Sequence, residues 1–223
     1  MITLGVDVGT THTKVLALDV EAGRTRALES AATPVVRDAD GEARRPAQVL
    51  ETVLDLTASV VKQLPAGARP AALCVASVGE EVVLIDATGA PVGDVITWYD
   101  PRGLDEAAAF MAGPGGDLPL SRRWPPDATI SICKLLWMKA HDPEALARAI
   151  TWTDLGDFGL HGLGADLVMD WTHASRAGAF DIAARAWDRA TVEATGLGLA
   201  CPRLVPGRTV IGTLEPAVAR RLG

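Results

Sequence analysis

The opening segment constrains the fold of this chain more than any other. An apolar run from Ile2 to Val8 carries one carboxylate, Asp7, near its end, and a short Gly-Thr-Thr turn follows. A second segment, which alternates between apolar and polar residues, begins at Lys14. Such runs on both sides of a tight turn predict a β-hairpin. The chain therefore opens with antiparallel strands, which favours a mixed sheet over a strict alternation of strands and helices.

The remaining pattern is that of an α/β domain. Apolar residues repeat with helical period after Pro46, a residue that suits the first turn of a helix. We predict an α/β fold whose mixed sheet is opened by antiparallel hairpins and flanked by helices. The predicted strands are 2–8, 14–20, 25–36, 71–76, 82–86 and 94–98, the predicted helices are 46–64, 104–111, 132–140, 143–150 and 187–194, and Trp124-Pro-Pro is predicted to break the chain.

The hairpin turn carries the residue types of an anion site. Gly9 has no side chain to keep a bulky anion away from the backbone. The N–H groups and hydroxyls of Thr10 and Thr11 can donate to phosphate oxygens, and Lys14 can supply a cation. Asp7 can hold hydrated Mg²⁺, which keeps several waters and needs few carboxylates. The same residues would also suit an ordinary polar turn, but the sequence contains neither a Walker loop nor a G-x-G-x-x-G pattern.

Charge and cysteine content narrow the classes of partner. The formal net charge is −7, which disfavours nucleic acid or an anionic membrane as the main partner. The three cysteines lie far apart in sequence, so neither a disulfide framework nor a cysteine metal cluster is expected. The N-terminus shows no basic region and no long apolar run. We therefore expect a cytoplasmic protein that binds neither nucleic acid nor membrane.

The pattern Asp-x-Gly-Thr-Thr-x-x-Lys between two strands resembles the phosphate hairpin of the actin and sugar kinase superfamily. That resemblance implies a ribonuclease-H-like fold, also called the actin-like ATPase fold, with ATP and Mg²⁺ as cofactors. It implies further that Asp7 associates with Mg²⁺ and that the turn from Gly9, through Thr10 and Thr11, faces the ATP phosphates together with Lys14.

Later motifs narrow the resemblance to one family. Asp86 ends a predicted strand, and a Gly-x-Pro turn and Ile96-Thr-Trp-Tyr-Asp-Pro-Arg102 follow it. Cys133-Lys-Leu-Leu-Trp-Met-Lys and Met169-Asp-Trp-Thr-His-Ala-Ser-Arg come afterwards. In order and spacing these segments are similar to the FGGY family of carbohydrate kinases. The resemblance implies that residues 1–223 form the N-terminal, sugar-binding domain of a kinase that phosphorylates a sugar or polyol with ATP.

The resemblance also implies the substrate side of the site. Glu80 falls where glycerol kinases carry a substrate-contacting Glu and xylulokinases a His, and Glu81 follows it. Trp98 would offer a flat wall to the sugar, with Asp100 and Arg102 as polar groups beside it. Three alternatives remain open: the two glutamates could be solvated charges at a strand edge, the tryptophan could belong to the core, and the last two residues could pair with each other. The segment lacks the family's usual Gln and Arg, so no particular sugar is predicted.

Other ionisable residues are weaker candidates. His12 is expected at the exposed hairpin tip, while His141, His161 and His173 are expected at the surface or in capping positions. Asp154 and Asp157 begin a segment where the family carries a helix that opens with Asp, which points to an N-cap.

In FGGY kinases the catalytic base is an Asp in a Gly-Asp-x-x-Ala segment, and a second domain binds ATP. No such segment occurs after residue 200. We therefore expect the C-terminal ATP-binding domain to be absent from this chain and the 223 residues alone to be inactive. A non-catalytic sugar-binding or regulatory module is the alternative. Another kinase type of the superfamily would need a Cys/His cluster or an Asn-Asp pair, and neither is apparent. A homodimer is a family-level expectation only.

Overall fold

The computed structural model describes residues 1–37, 39–119 and 126–223, so the predicted break at Trp124 lies outside the described residues. The strands are β1 (Ile2–Val8), β2 (His12–Asp19), β3 (Arg24–Ala32), β4 (Val36–Arg37), β5 (Glu42–Arg44), β6 (Ala72–Ser77), β7 (Val82–Ile85), β8 (Pro91–Val92), β9 (Val95–Ile96), β10 (Thr151–Asp154), β11 (Met169–Asp170), β12 (Phe180–Asp181), β13 (Ala186–Trp187) and β14 (Leu204–Val205). The helices are α1 (Pro46–Lys62), α2 (Leu104–Ala112), α3 (Ser131–His141), α4 (Pro143–Arg148), α5 (Leu155–Gly162), α6 (Trp171–Ala174), α7 (Arg189–Thr195) and α8 (Pro216–Leu222).

The main sheet is mixed, as predicted. Its strand order is β3-β2-β1-β6, in which β1 and β2 as well as β2 and β3 are antiparallel, whereas β1 and β6 are parallel. The parallel pairing brings the carboxyl end of β6 beside the hairpin turn that follows β1. The backbone therefore gathers the hairpin tip and the segment after Ser77 at one edge of the sheet.

Helix α1 covers one face of this sheet. Its buried residues Val53 and Val60 join a core cluster with Leu4, Val6 and Val15 of the hairpin. Side chains alternate across a strand, so Val6 points into this core while the residue that follows it is exposed. Each fully buried aliphatic side chain contributes about 1.5–3 kcal/mol, and this packing holds the hairpin rigid beneath its polar turn.

Strand β7 lies between two cores, which explains its uninterrupted apolar sequence. All four of its residues are buried. Val83 and Ile85 belong to the cluster under α1, whereas Val82 and Leu84 belong to a second cluster with Trp152. The strand pairs with β10 on one side and β8 on the other. It fixes the residues immediately before it, Glu80 and Glu81, against both cores.

The structure departs from the predicted elements at several places, and three of them are informative. Strand β3 ends at Ala32, four residues early, because Thr33 turns inward and hydrogen bonds to the hairpin. Strand β10 was not predicted. Trp187, predicted to begin a helix, lies on β13, and the helix begins at Arg189. Among the described residues, no helix combines the length and apolarity that a membrane span requires.

Candidate functional site

The hairpin turn is tight and needs a glycine at its first position. The backbone N–H of Gly9 donates to the carbonyl oxygen of His12 at 3.1 Å, which closes the turn. A Cβ atom at Gly9 would lie 2.9 Å from that same oxygen, closer than side chains can pack. The turn therefore places Thr10 and Thr11 at the tip, where Thr11 is exposed and Thr10 half-buried, with His12 exposed beside them as predicted.

All three carbonyl oxygens of the tip accept hydrogen bonds from the protein. The hydroxyl of Thr33 donates to the Gly9 oxygen at 2.8 Å, and the Thr33 N–H donates to the Thr11 oxygen at 3.0 Å. The Arg44 guanidinium donates to the Thr10 oxygen at 2.9 Å. The N–H groups of Thr10 and Thr11, by contrast, have no acceptor among the described residues. This arrangement offers donors, and no acceptors, to a bound anion.

Asp7 and Lys14 flank the tip on adjacent strands. They are directly opposite in the β1–β2 register, and both side chains are exposed. Neither side chain makes a hydrogen bond or ion pair with another described residue. An accessible carboxylate next to unpaired N–H donors fits a hydrated Mg²⁺, which needs few protein ligands. The ammonium group of Lys14 fits a phosphate oxygen.

Glu80 is held in an unusual conformation at the other side of the site. Its backbone has φ of +68°, a region that side-chain-bearing residues rarely adopt. Its side chain is only 8% exposed and forms an ion pair with Arg176. The alternative that Glu80 and Glu81 are solvated charges is therefore wrong. Strain of this kind persists only where surrounding contacts enforce it.

Glu81 and Arg44 form a fully buried ion pair, with both side chains at 0% exposure. Arg44 Nε donates to Glu81 Oε2 at 2.7 Å. The second oxygen, Oε1, is buried without a hydrogen bond partner among the described residues. Burial raises the pKa of Glu81, even though the nearby guanidinium favours its ionised form. In this conformation Glu81 reaches Arg44 and not the solvent.

Trp98 connects the two sides of the site. Its indole Nε1–H donates to the hydroxyl of Thr10 at 3.1 Å, and Tyr99 packs its ring edge-on at a centroid distance of 5.6 Å. The side chain is half-buried, so it is neither a core residue nor a free surface residue. The indole therefore links the segment after β9 to the hairpin turn.

Asp100 and Arg102 are occupied with one another, as one of the alternatives stated. Arg102 Nε donates to Asp100 Oδ1 at 2.9 Å, and Asp100 Oδ2 also accepts the Glu42 N–H at 2.7 Å. Burial opposes the charge on Asp100, but the hydrogen bonds from Arg102 outweigh it and lower the pKa of Asp100. The buried ammonium of Lys134 donates to the backbone oxygens of both residues. This loop is therefore rigid, and its charges face protein partners.

His173 lies in an environment that the sequence did not predict. It was expected at the surface or in a cap, yet its side chain is only 11% exposed. Its Nδ1 lies 2.8 Å from Asp157 Oδ2, and its Nε2 lies 3.2 Å from the Ser77 hydroxyl and 3.7 Å from Asp154. Asp154 does cap α5, as predicted, by accepting the Gly156 N–H. Asp157 is instead buried against the imidazole.

The Ser77–His173–Asp157 series has the connectivity of a nucleophile, base and orienting acid, but the carboxylates around the imidazole favour its protonated form. Burial opposes protonation of His173, while Asp154, Asp157 and Asp170 favour it and raise the pKa of His173 to about 10. A protonated imidazole cannot accept the serine proton. Burial also raises the pKa of Asp154 to about 7. The cluster therefore holds the end of β6 in place.

The side chains around His173 include the one group of His, Cys and acidic residues within the described ranges that could converge on a metal ion. One ligand atom from each of Asp157, Asp170 and His173 lies within 4.8 Å of the others. Each already has a protein partner: the first two accept backbone N–H groups, and the imidazole N–H is shared with Asp157. The exposed carboxylate of Asp7 fits a hydrated cation better.

Three residues of the site were not predicted to belong to it. Arg44 ends β5, a short strand in a charged segment whose local pattern does not reveal its contacts. The other two lie in the motif that begins at Met169, which does not indicate what they contact. Arg176 and His173 lie about a hundred residues after the segment they contact, Ser77 to Glu80. Only the tertiary fold brings them together.

Known proteins support the fold and the family. A model of the N-terminal domain of the FGGY family of carbohydrate kinases matches residues 2–223. A gluconokinase of Bacillus licheniformis is 25% identical, over 99% of this chain and 43% of the relative. A xylulose kinase of Streptomyces coelicolor is 30% identical, over 96% of this chain and 44% of the relative. The solved structure of Plasmodium falciparum glycerol kinase with ADP matches with a TM-score of 0.85 at 19% identity, over 98% of this chain and 46% of that one. The chain thus spans less than half the length of these relatives.

Proposed function

This chain belongs to the FGGY family of carbohydrate kinases, and on that premise we propose that the protein carrying it transfers the γ-phosphoryl group of ATP to a hydroxyl of a sugar or polyol. The observation that carries the proposal is the hairpin tip. Its carbonyl oxygens are all engaged by protein donors, while the N–H groups of Thr10 and Thr11 have no acceptor in the part of the chain that the structure describes. Such a tip suits the phosphates of a nucleotide.

On the phosphate side, each residue has a distinct role. The N–H groups and hydroxyls of Thr10 and Thr11 donate to phosphate oxygens, and Gly9 lets the nucleotide approach the backbone. Lys14 neutralises phosphate charge, and Asp7 holds the hydrated Mg²⁺. When bound, the metal ion neutralises charge that develops on the phosphate oxygens. The ribonuclease-H-like fold inferred from the sequence agrees with the antiparallel hairpins and the parallel β6.

On the sugar side, we propose that Glu80 and Trp98 face the ligand. A carboxylate can accept from different hydroxyls with its two oxygens, and the half-buried indole offers its face to the C–H side of a sugar. Glu81, Asp100 and Arg102 complete the substrate-binding set. Their charged groups contact Arg44, Glu42 and each other, so they support the floor on which the ligand rests.

The catalytic base and the adenosine pocket are proposed to lie outside residues 1–223. The chain spans less than half of its curated relatives, and the hairpin approaches the phosphates from one side only. A C-terminal kinase domain is therefore the proposed partner. Homodimer formation and a cytoplasmic location stay predictions. Gluconate, a ketopentose and a glycerol-like polyol are the first substrates to test, because relatives are named for them.

The proposal is tested with the full-length protein that carries these residues. ADP release is measured with Mg·ATP and each sugar in turn, and sugar phosphate is identified by mass spectrometry. We expect Asp7→Asn to lower turnover on the order of 100-fold at fixed Mg²⁺, because electrostatic groups of this kind supply several kcal/mol. Asp94→Asn, an exposed aspartate 4.0 Å from Arg45, is the control. Turnover that is independent of added sugar, or unchanged in Asp7→Asn, contradicts the proposal.

A further inference from the structure

Arg44 occupies a position that joins the two halves of the candidate site. We propose that it is a positioning residue for phosphoryl transfer: it holds the phosphate-facing turn at a fixed distance and orientation from the sugar floor. The inference rests on the proposed kinase function. It concerns how the two substrates are aligned, and it gives a role to a residue that contacts neither of them.

The guanidinium of Arg44 is shared among three fixed acceptors. Nε donates to Glu81 Oε2 at 2.7 Å, Nη1 to the Pro34 oxygen at 3.0 Å and Nη2 to the Thr10 oxygen at 2.9 Å. The side chain is 0% exposed. The planar fork has fixed donor directions, so the three acceptors cannot move independently. A lysine could not hold the same set, because its single ammonium has no such geometry.

The bond to Thr10 decides where a neighbouring donor points. The peptide unit is planar and trans, so the C=O of Thr10 and the N–H of Thr11 point in opposite directions. Because Arg44 holds that carbonyl toward the protein interior, the Thr11 N–H faces outward. Thr33 does the same one residue earlier: it binds the Gly9 oxygen and so directs the Thr10 N–H outward. Arg44 therefore aims one of the two donors proposed to bind phosphate.

The bond to Glu81 ties that donor to the sugar side. Glu81 follows Glu80 and leads into β7, a strand buried in both cores. Trp98 supplies a second link, because its indole N–H donates to the hydroxyl of Thr10. Thr10 is thus held through its backbone by Arg44 and through its side chain by Trp98. Both links run from the phosphate turn to residues of the sugar floor.

This alignment predicts a specific failure when it is lost. ATP bound at a loosened turn can still react, but the sugar hydroxyl is no longer in line with the γ-phosphorus. Water, which needs no such alignment, then accepts the phosphoryl group, giving ADP, inorganic phosphate and a proton in place of ADP, sugar phosphate and a proton. Misplacement of about 1 Å can slow a transfer on the order of 100-fold.

The experiment measures ADP and sugar phosphate separately in the full-length protein. The native protein should form one sugar phosphate per ADP at saturating sugar. Arg44→Gln should lower sugar phosphate formation on the order of 10- to 100-fold while ADP release falls less, so that ADP exceeds sugar phosphate severalfold. A loss of folded protein lowers both products equally, and the ratio therefore separates positioning from folding.

Two further variants distinguish a loss of positioning from a loss of folded protein. Arg44→Lys keeps a positive charge beside Glu81, so the buried carboxylate stays paired, yet it should also raise the ratio of ADP to sugar phosphate. Val53 is only 1% exposed in the core under the hairpin. Val53→Ala opens a cavity there without touching the three acceptors of Arg44. It controls for general loss of stability and should keep the native ratio.

The outcomes distinguish the two proposals. A raised ratio in both Arg44 variants, with the native ratio in Val53→Ala, supports the positioning role. Native ratios in Arg44→Gln and Arg44→Lys overturn it, whatever the change in rate. If the native full-length protein forms no sugar phosphate with any sugar tested, the kinase function itself fails, and the inference about Arg44 fails with it.

Discussion

Burial decides the role of several ionisable residues in this molecule. His173 is predicted at the surface or in a cap, and Glu81 could have been a solvated charge, but both side chains are enclosed by charged partners. An unpaired buried charge costs several kcal/mol, so these residues have opposite charges as neighbours: Arg44 in one case, Asp154 and Asp157 in the other. Local sequence patterns cannot reveal such pairs, because the partners are 16 to 37 residues away or come from other elements.

His173 should remain protonated through the physiological range. Its pKa is raised to about 10 by Asp154, Asp157 and Asp170, against the effect of burial. Because the folded pKa exceeds the unfolded value of 6.5, its contribution to stability is complete below pH 6.5 and is lost as the pH rises toward 10. Proton NMR of the imidazole should show no titration between pH 5.5 and about 8.5.

His173→Gln identifies the His173 resonance by its disappearance. A His173 resonance that moves with a midpoint near pH 6.5 would show that the three carboxylates do not hold the proton, and the argument against serine activation at Ser77 would then fail.

At the scale of elements, the sequence predicted most of the helices and strands that a hydrophobic period or flanking turn residues mark. Helix α1 begins at Pro46 as predicted, and the hairpin and β7 lie where their apolar runs placed them. Strand β10 was missed because Thr151–Asp154 is short and has only Trp152 as a large apolar residue; its pairing with β7 creates it. The candidate site follows the same rule, since the hairpin was predictable and the contacts of Arg44, Arg176 and His173 were not.

Helix α5 offers a matched test of how tightly β6 is packed against it. A Cβ atom at Gly156 would lie 2.7 Å from Cβ of Ser77 and closer still to its hydroxyl, whereas one at Gly159 would meet nothing within 4 Å. Gly156→Ala should therefore lower the free energy of unfolding by about 2 kcal/mol, as overpacking does. Gly159→Ala should raise it by about 0.5–1 kcal/mol, because alanine favours the helix.

Urea unfolding followed by circular dichroism measures both variants of α5. Since Ser77 also contacts His173, the same two variants report on the cluster: the NMR resonance of the imidazole should shift in Gly156→Ala and stay in place in Gly159→Ala. Equal stabilities for the two variants would mean that the end of β6 is free to move away from the helix.

At the scale of the whole molecule, one edge of the main sheet carries both halves of the candidate site. The parallel pairing of β1 with β6 brings the hairpin turn beside the segment that leads to Glu80. Arg44 and Trp98 then bridge the halves. The described residues thus form a continuous floor, while a γ-phosphate needs groups on both of its sides for transfer.

That asymmetry separates binding from catalysis in the 223-residue polypeptide. We expect it to bind the sugar that the full-length protein phosphorylates, because Glu80 and Trp98 are already held in place by Arg176 and Thr10. We expect no sugar-dependent ADP release, because the catalytic base and the second set of phosphate contacts are proposed to lie outside these residues. Binding is measured by the change in tryptophan fluorescence on adding sugar, with Trp98→Phe to identify the responding indole, and turnover by a coupled ADP assay.

The two readouts together decide between kinase and binding module. Sugar binding by the polypeptide, with turnover only in the full-length protein, fits a kinase whose catalytic base lies beyond Gly223. Sugar binding by both proteins with turnover by neither favours a sugar-binding or regulatory module, for which the free N–H groups of Thr10 and Thr11 would serve a different anion. Robust sugar-dependent turnover by the polypeptide alone would contradict the one-sided cradle and require the base to be sought among residues 1–223, where the carboxylate of Glu80 would be the first candidate.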